Sequence, residues 1–304
     1  MAAERGLLKR SPVESSRIAL RAAAVLGVVF FSLATGCAKT TEHDDVQYDD
    51  RFDDDVMDIY VPDGDGPHPA VMFIHGGAWI GGSRSEFTDA AKRMARSGYV
   101  AATIDYRLVP DIVYPENVRD CTCALAFLRA HAAEYKIDPN RIAVWGYSAG
   151  AHLASLVGLS IEHPEHVPDC KAGKTGPPNA VIAGAGVYDL RDEDSSLYRD
   201  YLGGGPDDRR EHYANVSPIV HAAPNKPPFL FVVGTDDLFV REEQAHKMKD
   251  ALAGHGNDAT LFEVAGGGHL LNSTIEGTWT LEESDLTTES WIVAKAFLDR
   301  TIGR

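Results

Sequence analysis

The chain has 304 residues, 44% of them hydrophobic and 24% charged, which is enough length and apolar content for one large core. Its formal charge of −16 makes it a poor partner for nucleic acid.

Residues 1–36 differ in kind from the rest of the chain. Five Lys or Arg against two Glu give them a charge of +3, and Ala22 to Gly36 is uncharged and mostly apolar. These 15 residues are short for a membrane-spanning helix, which needs about 20, so 1–36 is expected to be an export signal, with a retained N-terminal anchor helix as the competing reading. The stretch Leu33 to Cys37, LATGC, resembles a bacterial lipoprotein processing site, although Leu33 lies one place further upstream than usual. That resemblance implies acylation of Cys37 and a membrane anchor. Ala38, not being an aspartate, resembles the residue that permits sorting to an outer membrane. Cleavage after Ala38 is the alternative.

Without the leader the charge becomes −19. Aspartates cluster between Asp44 and Asp58 but lack the spacing of a calcium loop, so residues 37–55 are expected to be a solvated acidic tether. Val56 to Val61 alternates like a strand, and Ala70 to Ile74 is a fully apolar strand running into HGGAW. Glu86 to Ser97 is predicted helical, stopped by Gly98, and Tyr99 to Ile104 is another buried strand. A long helix is predicted over Pro115 to Tyr135, then the turn IDPN and the strand Arg141 to Trp145. A helix from Ala149 to Leu159 comes next, then strands at Ala180 to Val187 and Phe229 to Val233, a helix at Arg241 to Ala253, a strand at Thr260 to Val264, and a last helix from Ser290. Strands alternating with helices predict an α/β fold over residues 56–304, with a mostly parallel sheet covered on both faces. Ligands of such sheets gather beyond the carboxyl ends of the strands.

The chemistry falls at those ends. In WGYSAG, Ser148 sits between Gly146 and Gly150 at a strand-to-helix turn, where a strained backbone demands small neighbours and exposes the hydroxyl. A serine hydroxyl is a weak nucleophile and needs a base with a carboxylate behind it. His269 follows three glycines in AGGGHL, and Asp237 follows the strand FLFVVG, with Asp236 as its neighbouring alternative. The order serine, aspartate, histidine suits this architecture. Attack on a carbonyl leaves an oxyanion, for which Gly77 and Ala78 of HGGAW and Ala149 offer backbone N–H donors, with Gly76 also of small bulk. His75 is expected to fix that loop and His152 to pack beside the site. His163, His166, His212, His246 and His255 lack a strand-end context. Cys121 and Cys123 point apart on one helix, so either could bond Cys170 but they do not suit each other or a metal.

Jointly, HGGAW, IDYRL at Ile104 to Leu108, WGYSAGAHLA at Trp145 to Ala154, NVSPI at Asn215 to Ile219, PPFLFVVGTDD and GGGH resemble an alpha/beta hydrolase over about residues 56 to 301. More narrowly, they resemble bacterial carboxylesterases of the feruloyl and acetyl esterase (BD-FAE) type, relatives of the hormone-sensitive-lipase-like group. The resemblance implies two-step acyl transfer on a small ester through Ser148, His269 and Asp237, with oxyanion donors at Gly77, Ala78 and Ala149 and no metal or organic cofactor. Alanine replaces the third glycine of the family's oxyanion loop. Only the acidic stretch separates Cys37 from the first strand, so no large N-terminal cap is expected, and any lid should come from Glu162 to Pro178 and Leu190 to Asn215. Trp79, Tyr147 and Tyr188 are candidates to line the substrate pocket. An arylformamidase or other amidase on the same fold, and a non-catalytic surface-anchored binding protein, are the alternative functions.

Overall fold

The computed structural model describes residues 39–271 and 288–303. The leader and Cys37 lie outside the described residues. Within them an eight-stranded sheet forms from β1 (Thr40–Gln47), β2 (Val56–Pro62), β3 (His68–Ile74), β4 (Val100–Ile104), β5 (Ile137–Tyr147), β6 (Ala180–Gly184), β7 (Phe229–Gly234) and β8 (Ala259–Val264). Their spatial order is β1-β2-β4-β3-β5-β6-β7-β8. The pairs β1–β2 and β2–β4 are antiparallel and every other pair is parallel.

The central strands β3, β4, β6 and β7 are fully buried and nearly continuous apolar runs because both faces of the sheet are covered there. On β3, Ala70, Met72 and Ile74 join one core cluster while Val71 and Phe73 join the other, and β5 divides likewise into Ile142 and Val144 against Ala143 and Trp145. Helices α2 (Glu116–Ala130), α3 (Ala149–Ser160) and α6 (Glu243–Gly254) pack on the first face, and α1 (Thr88–Arg96) and α7 (Thr288–Thr301) on the second. Every residue of α3 is buried, which explains why its sequence is apolar all round rather than amphipathic.

The acidic tether is a correction. Residues 40–47 form β1, hydrogen-bonded along β2 with a register break between His43 and Val46, and Tyr48 behind it is buried with its hydroxyl donating to Asp105 O (2.7 Å). An edge strand needs only backbone pairing, and its charges discourage pairing with other chains, so TTEHDDVQ carries no apolar alternation to read. Arg84 gathers the acidic groups Asp45, Asp58 and Asp105 around one guanidinium.

Smaller differences concern ends. The helix expected from Glu86 begins as a single 3-10 turn at Arg84–Phe87, and the long helix ends at Ala130. The strand expected to reach Val187 stops at Gly184, because Ala185 adopts φ +48° and turns the chain over the sheet. Two short helices, α4 (Ser196–Leu202) and α5 (Arg210–Asn215), occupy the second insertion. The first insertion is pinned to α2 by the Cys123–Cys170 disulfide and by Arg129, which donates to Thr175 Oγ1 (2.6 Å) and Pro177 O (2.6 Å). Cys121 is a free, buried thiol.

Candidate active site

Strand β5 ends at Tyr147 and α3 starts at Ala149, leaving Ser148 on the turn with φ +53° and ψ −119°. Tight packing makes this strained turn possible. A Cβ at Gly146 would lie 2.0 Å from Gly150 O, and one at Gly150 would lie 2.0 Å from Ile74 O, so neither position admits a side chain. Ser148 N donates to Gly184 O (2.8 Å), fixing the turn to β6.

Two further strand ends supply the partners. Gly234, closing β7, is pressed so closely on the backbone of Gly267 and Gly268 that a Cβ there would meet their carbonyl oxygens at 2.2 and 2.4 Å. This contact joins the loop after β7 to the loop after β8. Across it, His269 Nδ1 donates to Asp237 Oδ2 (2.7 Å), and His269 Nε2 stands 3.0 Å from Ser148 Oγ. A carboxylate only accepts, so Nδ1 carries the proton and Nε2 presents its lone pair to the serine hydroxyl. Asp237 is buried, and its Oδ1 accepts from Phe239 N (2.8 Å) and Val240 N (2.9 Å). Asp236 is exposed, with its N–H held by Gly267 O (2.9 Å).

The HGGAW loop follows β3 and passes beside the turn: a Cβ at Gly76 would touch Ser148 Cβ at 3.3 Å. Gly77, Ala78 and Trp79 all have positive φ (+96°, +54° and +62°), a run that a tight helical-type turn imposes as Ile80 N and Gly81 N both donate to Gly77 O (3.0 Å each). The N–H groups of Gly77, Ala78 and Ala149 have no acceptor among the described residues. His75 holds the loop from beneath. Its Nδ1 donates to Gly76 O (2.8 Å) and its ring stacks on Tyr106, whose hydroxyl donates to His75 O (3.1 Å). Burial lowers the His75 pKa to about 4 and raises that of Glu86, which receives Ser83 N, to about 7.

Pocket residues fare differently. Tyr147 lies edge-on to the His269 ring, 5.7 Å between centroids, and is buried. Trp79 is 3% exposed, stacked on Tyr201 of α4 at 4.4 Å and edge-on to His152 at 5.2 Å. Tyr188 is fully buried, with its ring edge-on to Phe231 at 5.2 Å. Sequence reading missed Tyr201, Tyr198 and Phe239. The first two reach the Trp79 ring from the second insertion (4.4 and 6.0 Å), and Phe239, 62% exposed, lies 5.4 Å from the His269 ring. The position of Phe239, two residues past Asp237, was the one signal that could have found it.

Among the described residues, three groups of side chains bring metal-type donor atoms within 4.8 Å of one another: Asp49 with Cys123 and Cys170, His163 with Glu165 and His166, and Glu242 with His246 and Glu263. None includes Ser148, Asp237 or His269. The first is occupied by the disulfide, and both ring nitrogens of His166 are already bonded, to Tyr114 and Ser160.

Comparison with known proteins agrees with this fold. The model of the BD-FAE family matches residues 57–252. The chain belongs to the BD-FAE family. This bears out the alpha/beta hydrolase resemblance and places the family's span from β2 into α6, with His269 beyond its end. The BD-FAE chain is 33% identical over 213 residues to Esterase LipC of Mycobacterium tuberculosis, covering 67% of this chain and 53% of that protein. It spans about half the length of the curated relatives it matches. Among solved structures, a truncated carbohydrate esterase from gut microbiota superposes with TM-score 0.75 at 22% identity, covering 89% of this chain and 99% of that one, a likeness of fold. Thermogutta terrifontis esterase 2 phosphonylated by sarin superposes with TM-score 0.67 at 26% identity, covering 86% and 94%.

Proposed function

We propose that this BD-FAE protein is a serine carboxylic-ester hydrolase acting on small or short-chain acyl esters. The observation that carries the reading is the single imidazole bridging Ser148 Oγ (3.0 Å) and Asp237 Oδ2 (2.7 Å). In this mechanism Ser148 attacks the ester carbonyl while His269 takes its proton. The N–H groups of Gly77, Ala78 and Ala149 receive the oxyanion; removal of one such donor typically costs about 3 to 4 kcal/mol. Imidazolium then protonates the departing alcohol, and water releases the acyl group from Ser148 by the reverse sequence. The relatives named as esterases support the activity, and the sarin adduct of the Thermogutta esterase supports a nucleophile of this kind. Close packing of Trp79 against Tyr201 and His152 beside the oxyanion loop favours small acyl groups.

The Ser148→Ala protein should lose hydrolysis of p-nitrophenyl acetate and labelling by a fluorophosphonate. Undiminished rates in the purified variant would overturn the reading. Formylkynurenine assayed beside aryl esters separates an esterase from an amidase on the same fold. We propose further that the protein is exported and acylated at Cys37. The Cys123–Cys170 disulfide supports an oxidising compartment. A Cys37→Ala protein should leave the membrane fraction, and an unchanged fractionation would refute the anchor.

A further inference from the structure

Three buried polar atoms without a hydrogen-bond partner among the described residues belong to side chains gathered around Tyr201: Trp79 Nε1, Asn117 Nδ2 and His152 Nδ1. They come from three elements, the loop after β3, the first turn of α2 and the second turn of α3, and Tyr201 of α4 links them. Its ring stacks on Trp79 at 4.4 Å and lies 6.1 Å from His152, and its hydroxyl donates to Asn117 Oδ1 (3.2 Å). Trp79 and His152 are themselves 5.2 Å apart, edge to face. Asn117 and His152 are fully buried.

The hydrogen bonds already made fix what each atom still wants. His152 Nε2 donates to Val216 O (2.8 Å), so Nδ1 is left as an acceptor. Burial keeps that imidazole neutral. Asn117 Oδ1 accepts from Tyr201, so its Nδ2 remains a donor, and the indole N–H of Trp79 only donates. Two donors and one acceptor are the complement of a hydroxyl group, which has one O–H and two lone pairs. Orphaned buried polar atoms are rare in folded proteins, and three around one aromatic contact point to a missing partner. His152 lies four residues past Ser148 on α3, one helical turn away.

We propose that Trp79, Asn117 and His152 form a hydroxyl-binding pocket beside the nucleophile, filled either by a buried water or by a hydroxyl of the substrate. The pocket itself stands on the packing alone; its use by substrate rests on the esterase reading.

Two measurements test it. A crystal structure of the wild-type protein at about 1.3 Å should show an ordered oxygen within about 3.2 Å of at least two of the three nitrogens. In parallel, kcat/KM is compared for p-nitrophenyl acetate and hydroxyacetate, and for the acetates of ethanol and ethylene glycol. A substrate hydroxyl as occupant predicts at least about a tenfold preference for one hydroxylated member. That preference should fall to near unity in Asn117→Leu or, if this variant misfolds, in His152→Phe. Ordered oxygen without any preference assigns the pocket to water. Empty density together with equal rates overturns the proposal. Loss of the esterase reading would appear separately, as hydrolysis surviving in Ser148→Ala, and would leave the crystallographic oxygen as the test.

Discussion

Replacing Asp237 by asparagine probes the site through hydrogen-bond inventory alone. All three hydrogen bonds that the aspartate's carboxylate makes with the described residues come from donors: Phe239 N at 2.8 Å and Val240 N at 2.9 Å on Oδ1, and His269 Nδ1 at 2.7 Å on Oδ2. Asparagine has only one acceptor end. With its NH2 toward the two backbone amides, two buried N–H groups lose their acceptor, at about 1 to 3 kcal/mol each. The amide therefore turns its oxygen to the backbone and its NH2 to His269. That forces the imidazole into the other tautomer, with the proton on Nε2, 3.0 Å from Ser148 Oγ, where it can no longer accept the serine proton. A wrong tautomer in an intact triad lowers kcat about 10⁴-fold, or about 5.5 kcal/mol of activation free energy. Stability should change far less, since the favoured orientation keeps both backbone bonds. The assay is kcat of Asp237→Asn and Asp236→Asn on p-nitrophenyl acetate, with thermal melting of both. Asp236 is exposed and, among the described residues, bonds only through its backbone, so its variant should stay within a few-fold of wild type. Asp237→Asn keeping more than about a tenth of wild-type kcat, or Asp236→Asn taking the larger loss, would refute the reasoning.

Gly150→Ala places a Cβ 2.0 Å from Ile74 O, so the end of β3 must retreat by about 1 Å or more; the cost is about 1 to 3 kcal/mol from overpacking and about 10²-fold in kcat as the Gly77 and Ala78 amides move, measured by urea unfolding and steady-state rates. The Cys123–Cys170 bond closes a loop with sequence separation 47, for which chain entropy gives about 4 kcal/mol, so Cys170→Ser should lower the urea midpoint by more than Cys121→Ala, which trims one buried sulfur at about 1 kcal/mol; equal midpoints for the two would dismiss the bond's role. Burial, followed by the charge of Asp120, raises the pKa of Asp55 to about 8. A raised folded pKa means that its contribution is full below about pH 4, the ordinary carboxylate value, and is lost as pH rises toward 8, so Asp55→Asn should flatten the fall in unfolding free energy between those limits. A parallel pH dependence in wild type and variant would exclude Asp55 as its source.

Much of the site was legible because its parts obey local rules. Gly146 and Gly150 flank Ser148 since neighbouring backbones leave no room for a Cβ, and strand-end placement picked His269 from twelve histidines. Of the two neighbouring aspartates, Asp237 is the one whose carboxylate accepts from His269, because the chain turns after Gly234 and leaves Asp236 exposed. The burial of Tyr188 was not legible because its strand stops at Gly184, and a turn at Ala185 has no signature in AGAGVY. β1 escapes sequence reading because an edge strand is held by backbone groups that every residue has.

From the sequence alone came the alternation of strands and helices, the order of the chemical residues and their positions at strand ends, all consequences of periodicity and of glycine where close approach requires it. Only the tertiary structure decided that Cys123 rather than Cys121 bonds Cys170, that Tyr201 from a distant insertion stacks on Trp79, and that Trp79, Asn117 and His152, each with a buried nitrogen left without a partner among the described residues, meet around that ring. The physical reason is range. Backbone conformation and strand periodicity act between near neighbours, whereas a disulfide, a ring stack or an orphaned donor depends on which distant segments the packed sheet brings into contact.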